Sequence, residues 1–114
     1  MQLAIILSTQ NAETNWNALR LANFALEQGD TVRIFLVGEG VEYLPDRQAG
    51  ENGDSEKFKI QELTEKFLAS EKAQILACGM CLKSRNKEGT PSCPLNSLKD
   101  LYALVKESDK ILTF

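Results

Sequence analysis

The sequence predicts an α/β domain: a mainly parallel β-sheet of four to five strands with helices on both faces. Three observations predict it. Residues 3–7 are an unbroken aliphatic run, the pattern of a strand covered on both sides. Short apolar segments at 3–7, 31–37, 73–77 and 111–114 alternate with longer stretches whose apolar residues fall at helical spacing. Glycines and prolines cluster between these segments, where turns belong. Strands that alternate with helices imply right-handed βαβ crossovers, and therefore parallel strands sandwiched between helical layers.

Each element has its own justification. Residues 12–28 carry Trp16, Leu19, Ala22, Phe24, Ala25 and Leu26 among polar residues, and Gly29 stands where a helix C′ glycine belongs. These apolar positions cover more than one face, which predicts burial on two sides. Residues 31–37 (TVRIFLV) are β-branched and aromatic, and Gly38 and Gly40 end the strand as turn residues. Residues 45–54 are polar, contain Gly50 and Gly53, and read as a surface loop. Asp54 or Ser55 is then the expected cap of a helix reaching residue 70, with Ile60, Leu63 and Phe67 on its buried face. The charged residues from Glu51 to Lys72 read as its solvated face. Residues 73–77 (AQILA) make the third strand, and a second polar loop over 86–94 holds Gly89, Pro91 and Pro94. Leu98, Leu101, Tyr102 and Val105 keep amphipathic helical spacing behind a capping box of Ser97 and Asp100. Residues 111–114 close the sheet. No internal repeat or low-complexity tract appears, so residues 1–114 read as one domain.

Composition narrows the function. A chain of 114 residues buries roughly two-thirds of the surface that its unfolded form exposes. Hydrophobic residues at 43% and charged residues at 25% are ordinary globular usage, which argues against disorder. A net charge of −3 provides no broad basic field for a phosphate backbone, so nucleic acid is not expected as a partner. The first residues lack a cationic leader, and their apolar run is far shorter than the ~20 residues needed to span a bilayer. With three cysteines and no export signal expected, reduced thiols in a cytoplasm are the expectation, and no membrane partner is foreseen.

The chain contains no histidine, and its chemistry concentrates on Cys78 and Cys81, a C-x-x-C pair directly after the third strand. Ligands of open parallel sheets sit beyond the carboxyl ends of the strands, where residues 8–10, 38–41 and 78–85 converge. An ordinary thiol of pKa ~8.5 is only about 3% thiolate at pH 7, so a nucleophilic cysteine needs help from its surroundings. A helix starting after Cys78, with Lys83 and Arg85 nearby, would supply it and equip Cys78 to accept sulfane sulfur as a persulfide.

Three other readings compete. The pair also has the spacing of a thiol-disulfide oxidoreductase, although thioredoxin-type pairs follow an earlier strand. Zinc held by Cys78, Cys81 and Cys93 lacks a fourth cysteine or histidine ligand, so neither metal nor cofactor is expected. Alternatively the cysteines are small buried structural residues of a binding module. Two further segments read as structural: residues 8–11 lack the glycines of a phosphate loop, and Gly38 with Gly40 does not make G-x-G-x-x-G. Trp16 reads as core or interface.

Asn17-Ala18-Leu19-Arg20-Leu21-Ala22, Ile34-Phe35-Leu36 leading to Gly40-Val41, Cys78-x-x-Cys81, and the ending Ser108-Asp109-Lys110-Ile111-Leu112-Thr113-Phe114 together resemble the DsrE/DsrF-like family, most closely its small YchN-type members. The resemblance spans essentially the whole chain. It implies a flavodoxin-like three-layer domain that assembles into homotrimers or homohexamers and belongs to a cytoplasmic sulfur-handling group. Relay members of the family carry sulfur as a persulfide at the end of the third strand, a position matched by Cys78, and work with sulfur donor and acceptor proteins. Cys81 matches the second thiol of the YchN-type pattern, while Cys93 lies outside the shared pattern.

Overall fold

A computed structural model of the chain describes residues 1–43, 59–88 and 95–114. The elements are β1 (Gln2–Leu7), α1 (Ala12–Glu27), β2 (Thr31–Leu36), a 3-10 turn (Gly38–Glu42), α2 (Ile60–Leu68), β3 (Ala73–Cys78), α3 (Gly79–Ser84), β4 (Leu95–Asn96), α4 (Leu98–Glu107) and β5 (Lys110–Thr113). All the strand pairs are parallel, in the order β4-β3-β2-β1-β5. This is the flavodoxin-like three-layer α/β architecture expected, with its own strand order. The chain steps from β1 outward to β4, then returns through α4 to place β5 on the far side of β1.

Alternation along the strands sorts side chains onto two faces. Leu3, Ile5 and Leu7 of β1 join Val32, Ile34 and Leu36 of β2 and Ile75 and Ala77 of β3 on one face. Against them pack Ala18, Leu19, Ala22 and Ala25 of α1, Ile60 and Phe67 of α2, and Leu82 of α3. Each large aliphatic or aromatic side chain buried here contributes about 1.5–3 kcal/mol, so this face carries most of the hydrophobic stabilisation. Among the described residues the opposite face is thin. Its buried cluster is Ala4, Phe35 and Leu104, flanked by half-buried Val37, Leu76, Cys78 and Leu101.

The helix ends follow local chemistry. Asn11 caps α1 by accepting the Thr14 N–H at 3.0 Å. Asp100 accepts the Ser97 N–H at 2.8 Å at the start of α4, the reciprocal half of the expected capping box. The Asn23 amide of α1 donates to the Leu63 carbonyl of α2 at 3.2 Å and ties the two helices together.

Three details depart from the expectation. Burial of α1 on two sides is not met within one chain: the sheet-facing residues are buried, but Leu21 is exposed and Phe24 is 58% exposed. The second helix starts at Ile60 because Lys59 adopts a left-handed backbone, φ 55, which an α-helix cannot continue through. The cap expected at Asp54 or Ser55 and the loop expected over 45–54 lie outside the described residues, as do residues 89–94 of the second loop. The remaining difference is β4, two residues long and paired only at Ala77–Leu95 and Cys78–Asn96.

Gly40 presses on the end of β1. A Cβ at this position would stand 2.0 Å from the Leu7 carbonyl oxygen and 2.8 Å from its carbon. Both obstacles are backbone, so neither can swing aside. The substitution Gly40→Ala is expected to cost about 1–3 kcal/mol through displaced backbone, read as a lower urea midpoint. An unchanged midpoint would show that the turn has room to move.

Candidate functional site

Cys78 is the last residue of β3 and the N-cap of α3, with extended backbone at φ −64 and ψ 116. Its Sγ accepts the Cys81 N–H at 3.4 Å. This explains the spacing of the pair in physical terms. An N-cap side chain reaches the amide three residues on, so C-x-x-C places the second cysteine where its N–H meets the first sulfur. Both thiols are reduced and half-buried.

A different element serves the second sulfur. Cys81 Sγ accepts the N–H of Gly38, 3.3 Å away at the start of the 3-10 turn. That turn is fixed from both ends: Val37 N–H donates to the Leu7 carbonyl at 3.0 Å, Gly40 N–H donates to the Val37 carbonyl at 2.8 Å, and Gly40 abuts Leu7. Beyond the turn, the Tyr43 hydroxyl hydrogen-bonds the Thr64 hydroxyl of α2. Glu42 joins the turn to the end of α3, with Arg85 Nε at 3.2 Å from one carboxylate oxygen and Lys87 Nζ at 3.3 Å from the other. Arg85 Nη1 also donates to the Cys81 carbonyl at 3.2 Å.

These surroundings push the two thiols in opposite directions. Burial raises Cys78 above the ordinary thiol range, reinforced by the hydrogen bond that it donates to Cys81. The same hydrogen bond is the main reason Cys81 lies lower, against an opposing effect of burial, and the Gly38 N–H and the Arg85 charge add to it. The pair therefore shares a proton with the negative charge favoured on Cys81.

Cys78, Cys81 and Arg85 come together at the carboxyl edge of the sheet. The expected lowering of Cys78 is reversed, because Cys78 is the donor within the pair and Arg85 acts on Cys81. Lys83 is exposed, and its side chain makes no hydrogen bond or ion pair among the described residues. Cys93 lies outside the described residues, and among those described no three acidic, cysteine or histidine side chains gather in a metal-binding group. Two contributors escaped the sequence. The Gly38 amide had only the G-x-G spacing after the second strand as a signal, and Glu42 had none.

Fold and site together define a three-layer parallel α/β protein that presents a reduced dithiol at the carboxyl edge of its sheet. The chain belongs to the DsrE/DsrF-like family, whose profile matches residues 1–114 and which is associated in general with sulfur relay. Among its relatives, an uncharacterized protein of Methanopyrus kandleri is 36% identical over 105 residues, covering 90% of this chain and 83% of the relative. An uncharacterized protein of Methanocaldococcus jannaschii is 35% identical over 105 residues, covering 90% and 88%. The crystal structure of the YchN protein from E. coli superposes with a TM-score of 0.75 at 27% identity and complete coverage of both chains. No helix among the described residues is long and apolar enough to cross a membrane.

Thiol alkylation follows the thiolate, so the opposed shifts set an order of reactivity. In the folded chain Cys81 is expected to react with iodoacetamide faster than Cys78 at neutral pH. The rate for Cys81 should rise at a pH below the ordinary thiol midpoint and that for Cys78 above it, with the difference lost in urea. Peptide mapping of a pH series measures both, and equal or reversed midpoints would contradict the charge distribution.

Proposed function

We propose that this chain is an intracellular, cytoplasmic sulfur carrier of the sulfurtransferase type, in which sulfane sulfur comes to rest as a persulfide on Cys78 with Cys81 as its partner thiol. The observation that carries this reading is the half-buried dithiol at the sheet's carboxyl edge, each sulfur already facing a backbone N–H. Amide donors stabilise a sulfur anion without a metal or a titrating side chain. The family's general association with sulfur relay points the same way. Donor and acceptor proteins for the sulfur are part of the proposal.

Incubation with an alkyl persulfide, followed by alkylation and peptide mass spectrometry, is expected to place one added sulfur atom on the Cys78 peptide at completion. Thiols that remain unmodified would sink the carrier reading. A Cys78–Cys81 disulfide that cycles with thioredoxin and gains no sulfur would favour redox exchange instead. Cysteines inert to alkylation throughout would make them structural.

The same reading includes self-assembly into a homotrimer or homohexamer. On the thin face of the sheet, α4 leaves Leu98 80% and Tyr102 65% exposed, with Val105 also in solvent. Ile111 of β5 pairs with Ala4 and so shares that face, and it too is exposed. An apolar surface of this kind is suited to cover by a second copy. Light scattering at micromolar concentration is expected to give the mass of a trimer or hexamer, and a 12.7 kDa particle would contradict it.

A further inference from the structure

We propose that Cys81, held by the Gly38 amide beside Arg85, is the thiol that first takes sulfur from the donor, and that it then passes this sulfur to Cys78. The inference rests on the sulfur-carrying reading and adds an order of events to it.

The two sulfurs occupy unequal positions. The donor that Cys78 Sγ accepts belongs to the pair itself, the Cys81 N–H, and forms as soon as the helix turns. The donor to Cys81 Sγ comes from a separate element, 43 residues earlier in the chain, and a whole set of contacts exists to keep it there. Gly40 seats the turn on the Leu7 carbonyl, and Glu42 clamps it to Arg85 and Lys87. Arg85 is held over the last turn of α3 by its bond to the Cys81 carbonyl, which keeps the guanidinium on the Cys81 side of the pair. The amides of Cys81 and Met80 favour an anion on Cys78 too, but burial outweighs them, whereas the separately held Gly38 amide and the Arg85 charge add to the lowering of Cys81, so the negative charge is favoured on Cys81. A nucleophile must be an anion before it attacks, whereas a resting carrier need not be.

The chemistry balances. The Cys81 thiolate attacks the outer sulfur of an alkyl persulfide, R–S–SH. A bond forms between Cys81 Sγ and that sulfur, the R–S to sulfur bond breaks, and R–S⁻ leaves with the electron pair, giving Cys81–S–SH. Cys78 then gives up its proton, and its thiolate attacks the same outer sulfur. The bond between that sulfur and Cys81 Sγ breaks, the Cys81 sulfur leaves with the electron pair and takes up the proton, and the products are Cys78–S–SH and Cys81–SH. No external oxidant or reductant enters either step.

The test uses the full chain and glutathione persulfide, with samples quenched by alkylation at successive times and mapped by mass spectrometry, which also distinguishes Cys93. In the unaltered chain the added sulfur is expected on Cys81 first and on Cys78 later. Cys78→Ser is expected still to take up sulfur and to retain it on Cys81, with none passed on; a Cys78→Ser chain that takes up no sulfur while the unaltered chain does would overturn the order. Cys81→Ser is expected to load about three- to tenfold more slowly, the net of a smaller thiolate fraction and a more nucleophilic thiolate. Sulfur that appears first on Cys78 in the unaltered chain, or a folded Cys81→Ser chain that loads Cys78 at full speed, would overturn this order and leave the carrier reading intact. An unaltered chain that takes up no sulfur overturns both. The labelling order in the unaltered chain needs no substitution, so the test survives a variant that fails to fold.

Discussion

A parallel sheet needs cover on both faces, and that requirement governs this molecule. The central strands are mostly apolar, with one face buried along its whole length, and their alternation permits one register only. A slip of a single residue would send every buried side chain of a strand to the wrong layer. The register found pairs Leu7 with Leu36 and Leu36 with Ala77, so Ser8, Val37 and Cys78, the last residue of β3, stand at one level along the sheet. The site is thus a by-product of core packing. Three loops meet because three strands end together.

Within that setting the thiols are controlled by backbone. A histidine-free chain has fewer side chains with which to tune a cysteine, and here burial, the hydrogen bond between the sulfurs, the peptide N–H groups of Gly38, Met80 and Cys81 and a single guanidinium set the balance. Peptide dipoles do not titrate, so their influence persists across pH where an imidazole's would change. Their aim depends on backbone position, which is why the close approach of Gly40 to Leu7 matters to a sulfur atom on another element. An interaction between two main chains is transmitted to the reactivity of a side chain through one rigid turn.

Much of this was legible beforehand, for identifiable reasons. Residues 3–7 announce themselves as an unbroken aliphatic run and 31–36 as a β-branched and aromatic one, and α4 because Ser97, Asp100 and the spacing from Leu98 to Val105 are local signals. The C-x-x-C marked the site because N-cap geometry is encoded over three residues. What escaped was non-local or too short to show a period. The two residues of β4 carry no alternation, and the left-handed Lys59 is a conformation that its residue type disfavours. The direction of the Cys78 shift was not legible because it depends on burial and on which sulfur donates within the pair, and that of Cys81 because it depends on Gly38, distant in sequence. Charge proximity along the chain suggested Cys78, while three-dimensional placement assigns Arg85 to Cys81.

The unequal thickness of the two helical layers has a consequence for motion. One face is secured by α1 and α2 over sixteen buried residues, the other chiefly by Leu104 resting on Ala4 and Phe35. Opening free energies follow local burial, so in an isolated protomer α4 and β5 cost less to detach than α1 and α2 among the described elements. Their amides should exchange hydrogen with solvent sooner than those of β1 and β2. A transient loss of α4 would bare the reverse of the sheet while α1, α2 and the 3-10 turn stayed in place. The fold thus separates a part that breathes from a part that keeps its sulfurs aligned.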